Sequence, residues 1–211
     1  MRRFRHFGFI ALLMLAFVCV AHSQVIEFES GGLKYQTLTK DGLTIMFAYM
    51  PSKVREYSIL QVAISNGSSE PVTVRPADFM IETQRGSIIQ AVPADQVISQ
   101  LIRNASSNDV IKLVTTYEMG LYGMGRIVSS NGYEKRRQAA LGIVSSKNLK
   151  AAAAASAIAF VETELPPGGS TDGAVFYPTN NLTVGVATLR VYASNRAFEY
   201  EPVDTAARND R

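Results

Sequence analysis

The chain has no tryptophan, one cysteine and two histidines in 211 residues. Those three side chains, Cys19, His6 and His22, all lie in the first 23 residues. So do Arg2, Arg3 and Arg5, which precede an apolar run from Phe7 to Val20. A basic start, a short apolar run and the small-residue ending Ala21-His22-Ser23 define a secretory signal peptide over residues 1–23, cut before Gln24. The run is too short to make a good membrane span. Val18 is a poor residue in front of a lipidated Cys19, so a lipoprotein or a retained signal anchor is the lesser expectation. The expected product is exported, periplasmic or extracellular, and is not an integral membrane protein.

These absences exclude whole classes of chemistry. Once the leader is removed the chain holds no Cys, His or Trp. It can form no internal disulfide, no Cys/His zinc site, no CxxC redox pair and no haem attachment. A Ser-His-Asp triad and a Cys-His dyad are equally excluded. The formal charge of +3 belongs to the leader, because its loss leaves 18 basic against 18 acidic side chains. A neutral exported chain without tryptophan is not expected to bind nucleic acid. The segment GLYGMG (120–125) lacks the order of a dinucleotide-binding loop, and no D-x-D-x-D-G calcium loop occurs. Tyr49 and Lys53 form Y-x-x-x-K, but Pro51 breaks the helix such a dyad needs. Glu162 and Glu164 are the nearest carboxylate pair. On one strand they would share a face about 7 Å apart, a pairing that glycoside hydrolysis can use but that is better read as a solvated strand face. No catalytic, cofactor-binding or metal residue is expected.

What is present is a β pattern interrupted by a helical one. Residues 24–32 read as a flexible lead-in. Strands are expected over 33–39, 43–50 and 57–65, with Asp41-Gly42 as a turn and Leu60, Val62 and Ile64 as the core face of the third. Asn66 to Pro71 is a loop, and short strands follow over 72–75, 79–84 and 87–92. The period changes at Pro93, which suits a first helical turn. Val97/Leu101 and Ile98/Ile102 pair at helical spacing. Asp109 can cap a second helix with Val110, Leu113, Val114, Tyr117 and Leu121 on one stripe, although the β-branched content there also suits a strand. Residues 134–143 and 149–160 are strong helix formers, and Ala151–Ala155 has the highest helix propensity available. Strands return over 160–165, 173–178, 182–193 and 197–201, and the tail is polar.

QVAISNGSSEPVTVRPADFMIE (61–82) and LPPGGSTDGAVFYP (165–178) resemble two passages of the telokin-like, immunoglobulin-fold domains of secreted bacterial proteins and lipoproteins. The first matches a strand, N-x-S-x-x-P loop, strand, D-F passage. The second matches L-x-P-G-x-x-x-G-x-V-F-x-P. The resemblance implies the fold and a bacterial source, and it implies no function. A helical insertion of this kind is absent from those domains. Read without any family, Asn66-Gly67 supplies residues that tolerate positive φ, and Phe79 and Phe176 are core anchors.

The expected architecture is mainly β with a helical insertion: an immunoglobulin-like β-sandwich capped by several helices. One domain covers 24–202, the insertion covers 93–159, and 203–211 is a flexible tail. The expected role is that of a non-enzymatic binding or structural protein of the cell envelope, whose partner is a protein or another envelope component. The alternatives are a carboxylate-dependent hydrolase and an assembly or chaperone module that adds a strand. Tyr133, Lys135, Arg136 and Arg137 are the expected partner contacts, next to a Tyr/Met/Gly mix at Tyr117, Met119, Tyr122 and Met124 that suits an adaptable surface. With Lys147 and Lys150 the same basic cluster also reads as a solvated helix face. Three glycosylation sequons, at Asn66, Asn104 and Asn181, would be idle in a bacterium.

Overall fold

The computed structural model describes residues 24–51, 53–109, 111–113, 115, 146–179 and 186–204. Over them the chain is mainly β with a few helices, as its sequence pattern implies. The strands, numbered along the chain, are β1 (Ile26–Ser30), β2 (Leu33–Lys40), β3 (Leu43–Tyr49), β4 (Tyr57–Asn66), β5 (Val72–Val74), β6 (Phe79–Thr83), β7 (Ile88–Gln90), β8 (Thr163–Leu165), β9 (Ser170–Pro178), β10 (Val186–Ala193), β11 (Arg196–Glu199) and β12 (Val203–Asp204). Two helices are α1 (Ala94–Asn104) and α2 (Lys147–Ile158).

Antiparallel pairing gives a five-stranded sheet in the order β1-β2-β3-β4-β9. A second sheet runs β11-β10-β6-β7, with β12 also on β10, and β5 pairs with β8. Tight hairpins link the first three strands. Gly31, Gly32, Asp41 and Gly42 all take positive φ, as two-residue hairpin turns demand. Residues 24–32 are therefore not a flexible lead-in, because the Gly31-Gly32 turn folds Ile26–Ser30 back onto β2. Val203 and Asp204 likewise leave the expected tail, since they extend the pairing of β10.

The inner strands of the five-stranded sheet are buried on both faces. Leu60, Val62 and Ile64 of β4 join Ile45, Phe47 and Tyr177 against Phe79, Ile81, Leu189 and Val191 of the second sheet. The opposite face carries Ile59, Ala63, Met46, Ala48, Ala174 and Phe176, and these pack on Val97 and Leu101 of α1 and Ala151, Ala155 and Ile158 of α2. The layers are thus helices, sheet, sheet. Reading only Leu60, Val62 and Ile64 as core captured half of this, because Ile59 and Ala63 need a cover too. The alanines of α2 bring it close to α1: Ala151, Ala152, Ala154, Ala155 and Ala157 are all buried.

The helical segment leaves and rejoins the sheet at one strand edge. Val92 bridges Phe176, and Ala159 bridges Ala174, two residues away on β9, or about 7 Å. Close approach at this edge needs Gly173, where a Cβ would lie 2.6 Å from the Phe160 Cα. Helix boundaries follow from caps. Pro93 occupies the position just before α1. Ser146 accepts the Leu149 amide and starts α2 at Lys147, earlier than propensity alone implies. The next helical turn after α1 is capped by Ser106, not by Asp109. The Asp109 carboxylate accepts the Ser106 amide at 2.7 Å while the Asp109 amide donates to Ser106 Oγ at 3.1 Å. That reciprocal pair is a capping box with Asp109 at its far end. The helix expected over 134–143 and most of the Val110–Leu121 stripe lie outside the described residues.

One buried amide joins the two family-like stretches. Asn66 is fully buried at the end of β4. Its Nδ2 donates to the Glu70 carbonyl at 2.7 Å and the Leu165 carbonyl at 2.9 Å. Its Oδ1 accepts the amide and hydroxyl of Ser68 at 3.0 and 2.6 Å. Its backbone exchanges bonds with Gly168 and Gly169. Asn66 and Gly67 are not among the residues of positive φ. The asparagine is required for its side-chain bonds, and Gly67 for its closeness to Gly42, whose oxygen would sit 3.1 Å from a Cβ. Asn66→Ala should therefore cost about 1–3 kcal/mol in denaturant unfolding, since it takes the Asn66 donor from the buried Leu165 carbonyl and the acceptor from Ser68. A loss within experimental error would show that the loop is held by something else.

Candidate functional site

The expected contacts Tyr133, Lys135, Arg136 and Arg137 lie outside the described residues, as do the glycine segment 120–125 and the Tyr and Met residues around it. Of the same basic cluster, Lys150 is exposed on α2. The carboxylate pair does not form on one strand. Glu162 precedes β8, is exposed, and pairs with Arg75 at 3.1 Å, while Glu164 is exposed within β8. Neither sits in a cleft that would exclude water. Among the described residues no group of three or more His, Cys, Asp or Glu is placed to hold a metal ion. Of the sequons, Asn66 is buried and consumed by its bonds, Asn104 is exposed, and Asn181 lies outside the described residues.

A polar clamp ties the β3–β4 turn to the helices. Arg55 takes φ +54°. Its Nη1 donates to the Asn104 carbonyl at 2.6 Å and lies 3.5 Å from the buried Asp109 carboxylate. A cation is thereby placed on the last carbonyls of α1, where the helix dipole favours it. Beside it Gln100 Nε2 donates to the Glu56 carboxylate, and the Glu56 carbonyl accepts the Thr179 amide at 2.9 Å. Arg55 and Gln100 tie this turn to α1, and Thr179 ties it to the end of β9, so the cluster is architectural. Arg55→Ala should lower stability by about 1–2 kcal/mol. Arg55→Gly loses the same bonds but relieves the left-handed backbone, so it should be the more stable variant by about 1 kcal/mol. The reverse order in chemical denaturation would contradict this account.

Tyr35, Tyr57, Tyr177 and Tyr200 are buried in the two cores, and Tyr49 is partly buried against one of them. Tyr200 donates to the Ile45 carbonyl at 2.9 Å. The hydroxyls of Tyr35, Tyr49 and Tyr177 are buried and have no hydrogen-bond partner among the described residues. Burial pushes Tyr35 up to about 12 and raises Tyr177 well above the ordinary phenol range, with Tyr49 adding to the second shift. A phenol whose folded pKa is raised binds its proton more tightly in the folded state. That stability is complete below about pH 10 and is lost as pH rises through the folded value. Urea midpoints should therefore fall above about pH 10, and Tyr35→Phe should flatten that fall. At neutral pH Tyr177→Phe should be neutral or stabilising by up to about 1 kcal/mol, because no bond is broken. A clear destabilisation would reveal a partner for that hydroxyl.

The edges of the five-stranded sheet differ. At β9 the edge is sealed by Val92 and Ala159. At the other end β1 pairs with β2 alone among the described residues. Ile26 and Phe28 are 61% and 39% exposed on one face of β1, with the Phe28 ring stacked on Tyr35 at 5.2 Å. Glu27 and Glu29 are exposed on the other face. This is an exposed apolar strip on a strand with one sheet neighbour among the described residues, the kind of edge to which another strand can add. The outer face of the second sheet is different in kind. There Arg190 bridges Glu82 at 2.9 Å and Glu199 at 3.4 Å, and Tyr192 is the exposed aromatic residue. Sequence reasoning missed β1. The signal was present in the alternation of IEFES and in Gly-Gly before LKYQT, the spacing of a two-residue hairpin.

No protein-family model matches the chain, and no curated protein does. Among solved structures the chain is similar to the yjhA protein from Bacillus subtilis, at 8% identity and a TM-score of 0.30, over 79% of this chain and 76% of that one. A likeness at that level carries neither fold nor function across. Nothing in the comparisons points to an enzyme.

Proposed function

We propose that the protein is an exported, non-enzymatic binding or structural protein of the cell envelope. It is built as an immunoglobulin-like sandwich of the telokin-like kind with a helical layer on one sheet, and it engages a protein partner at its open sheet edge. The observation that carries this reading is the asymmetry of the five-stranded sheet: one edge is sealed by the chain itself, and the other, β1, offers Ile26 and Phe28. Support for the immunoglobulin-like assignment comes from the two sheets sharing one core, and from the two family-like stretches meeting along β4 and β9. Support for export comes from the leader sequence. No helix among the described residues is long and apolar enough to cross a membrane.

The test is a photo-crosslinking residue placed at Phe28 or at Tyr192 in the full chain, expressed in its own cells with its leader. Position 28 should give discrete adducts with an envelope protein, and position 192 none. Intact mass of the secreted chain should begin at Gln24. Adducts from Tyr192 alone, or from neither position, would overturn the binding site, and a cytoplasmic, uncut chain would overturn the export.

A further inference from the structure

Residues 24–211 are formally neutral, yet their charge is divided along the chain. Residues 94–158 carry eight basic and four acidic side chains, and the rest carry ten and fourteen. The exposed apolar side chains follow the same division. Among the described residues of the helical part, Ile102 directly precedes Arg103, Ile111 precedes Lys112 and Leu149 precedes Lys150. In the β part Ile26 and Phe28 flank Glu27, Ile88 opposes Glu82, and Val161 precedes Glu162. An aliphatic side chain beside a cation suits the surface of an anionic bilayer, which takes the first into its interface and the second at its phosphates. An aliphatic side chain beside a carboxylate does not.

The helical layer presents this pairing outward. Leu149 and Ile102 are each 47% exposed. At 3.6 residues per turn Leu149 stands about 140–200° around α2 from Ala151, Ala154 and Ile158, which are buried in the core that the helices share with the sheet. Leu149 therefore faces away from the sheet. Asn148 Nδ2 donates to the Ile102 carbonyl at 3.1 Å, which sets the first turn of α2 beside the last turn of α1. The two aliphatic side chains thus lie on neighbouring helix ends, with the exposed Arg103 and Lys150 next to them. The described helical residues include two carboxylates. Asp109 is buried on Arg55, and Asp95 stands at the opposite end of α1.

We propose that the helical layer docks on the surface of an anionic lipid bilayer, with Ile102 and Leu149 in its interface and Arg103 and Lys150 at its phosphates. The second sheet lies on the far side of the first from the helices, so Tyr192 on its outer face points away from the lipid. The inference does not rest on β1, and the two readings fail separately: vesicle binding tests this one, and crosslinking at position 28 tests the other. The probe is a vesicle of phosphatidylglycerol and phosphatidylcholine in equal parts, with phosphatidylcholine alone as the control. The chain from Gln24 onward should bind the anionic vesicles at least about ten-fold more tightly than the control, and less tightly as salt rises. Arg103→Gln and Lys150→Gln should each weaken binding about five-fold, the effect of one basic side chain near an anionic surface. Ile102→Ser and Leu149→Ser, at exposed positions where the thermal midpoint should not move, should each weaken it by about five-fold or more. Ile88→Ser on β7 should leave binding unchanged. From Gln24 onward the chain has no cysteine, so Leu149→Cys and Tyr192→Cys can each carry a single environment-sensitive dye. The dye at 149 should shift to the blue on anionic vesicles, and the dye at 192 should not. Equal binding to the two vesicles, binding that salt does not weaken, a shift at 192 and not at 149, or no binding to either vesicle would each overturn the proposal.

Discussion

The pairing of β4 with β9 is the contact on which the other layers rest. Nine residue pairs, from Tyr57 with Pro178 to Ser65 with Ser170, join segments more than a hundred residues apart. Such a contact repays its loop-closure entropy only when both faces of the resulting sheet are buried. Here both are. Leu60, Val62, Val175 and Tyr177 face the second sheet, and Ile59, Ala63, Ala174 and Phe176 face the helices. The helical segment is therefore more than an appendage. It leaves β9 at Phe176, covers the face that Phe176 and Ile59 would otherwise expose, and returns at Ala174. Its alanines matter in the same way, since a helix of small side chains can lie close to both α1 and the sheet.

The β character and the switch to helix near Pro93 were legible because period is a local property. Leu60, Val62 and Ile64 announce a strand whatever covers them. What lies on the other face is not local. Nothing between residues 57 and 65 states that helices starting at Ala94 and Lys147 will cover Ile59. The caps failed for a related reason: Ser106 and Asp109 both fit an N-cap, and only their mutual bonds show which one starts the turn. Asn66-Gly67 reads as a turn that needs left-handed backbone. Its real constraints are long-range bonds to Leu165, Gly168 and Gly169, which a linear reading cannot supply. The candidate edge was missed because a short strand after an expected signal peptide reads as a lead-in until its Gly-Gly turn is taken seriously.

The resemblance to telokin-like domains was carried by 61–82 and 165–178, which are distant in sequence and neighbours in space. Asn66 binds the carbonyl of Leu165, Gly168 binds the carbonyl of Asn66, and Ser65 opposes Ser170. Both passages therefore describe one structural joint. Such a joint bears on how the chain folds and leaves its function open. Function has to be sought where the architecture leaves an interaction unmade.

One such place is the β1 edge. An edge strand with exposed Ile26 and Phe28 invites aggregation, and natural sheets blunt such edges with charge. Glu27 and Glu29 supply that charge, yet they stand on the opposite face and leave the apolar strip uncovered. The edge strand therefore carries charge without covering Ile26 and Phe28, the apolar side chains it exposes.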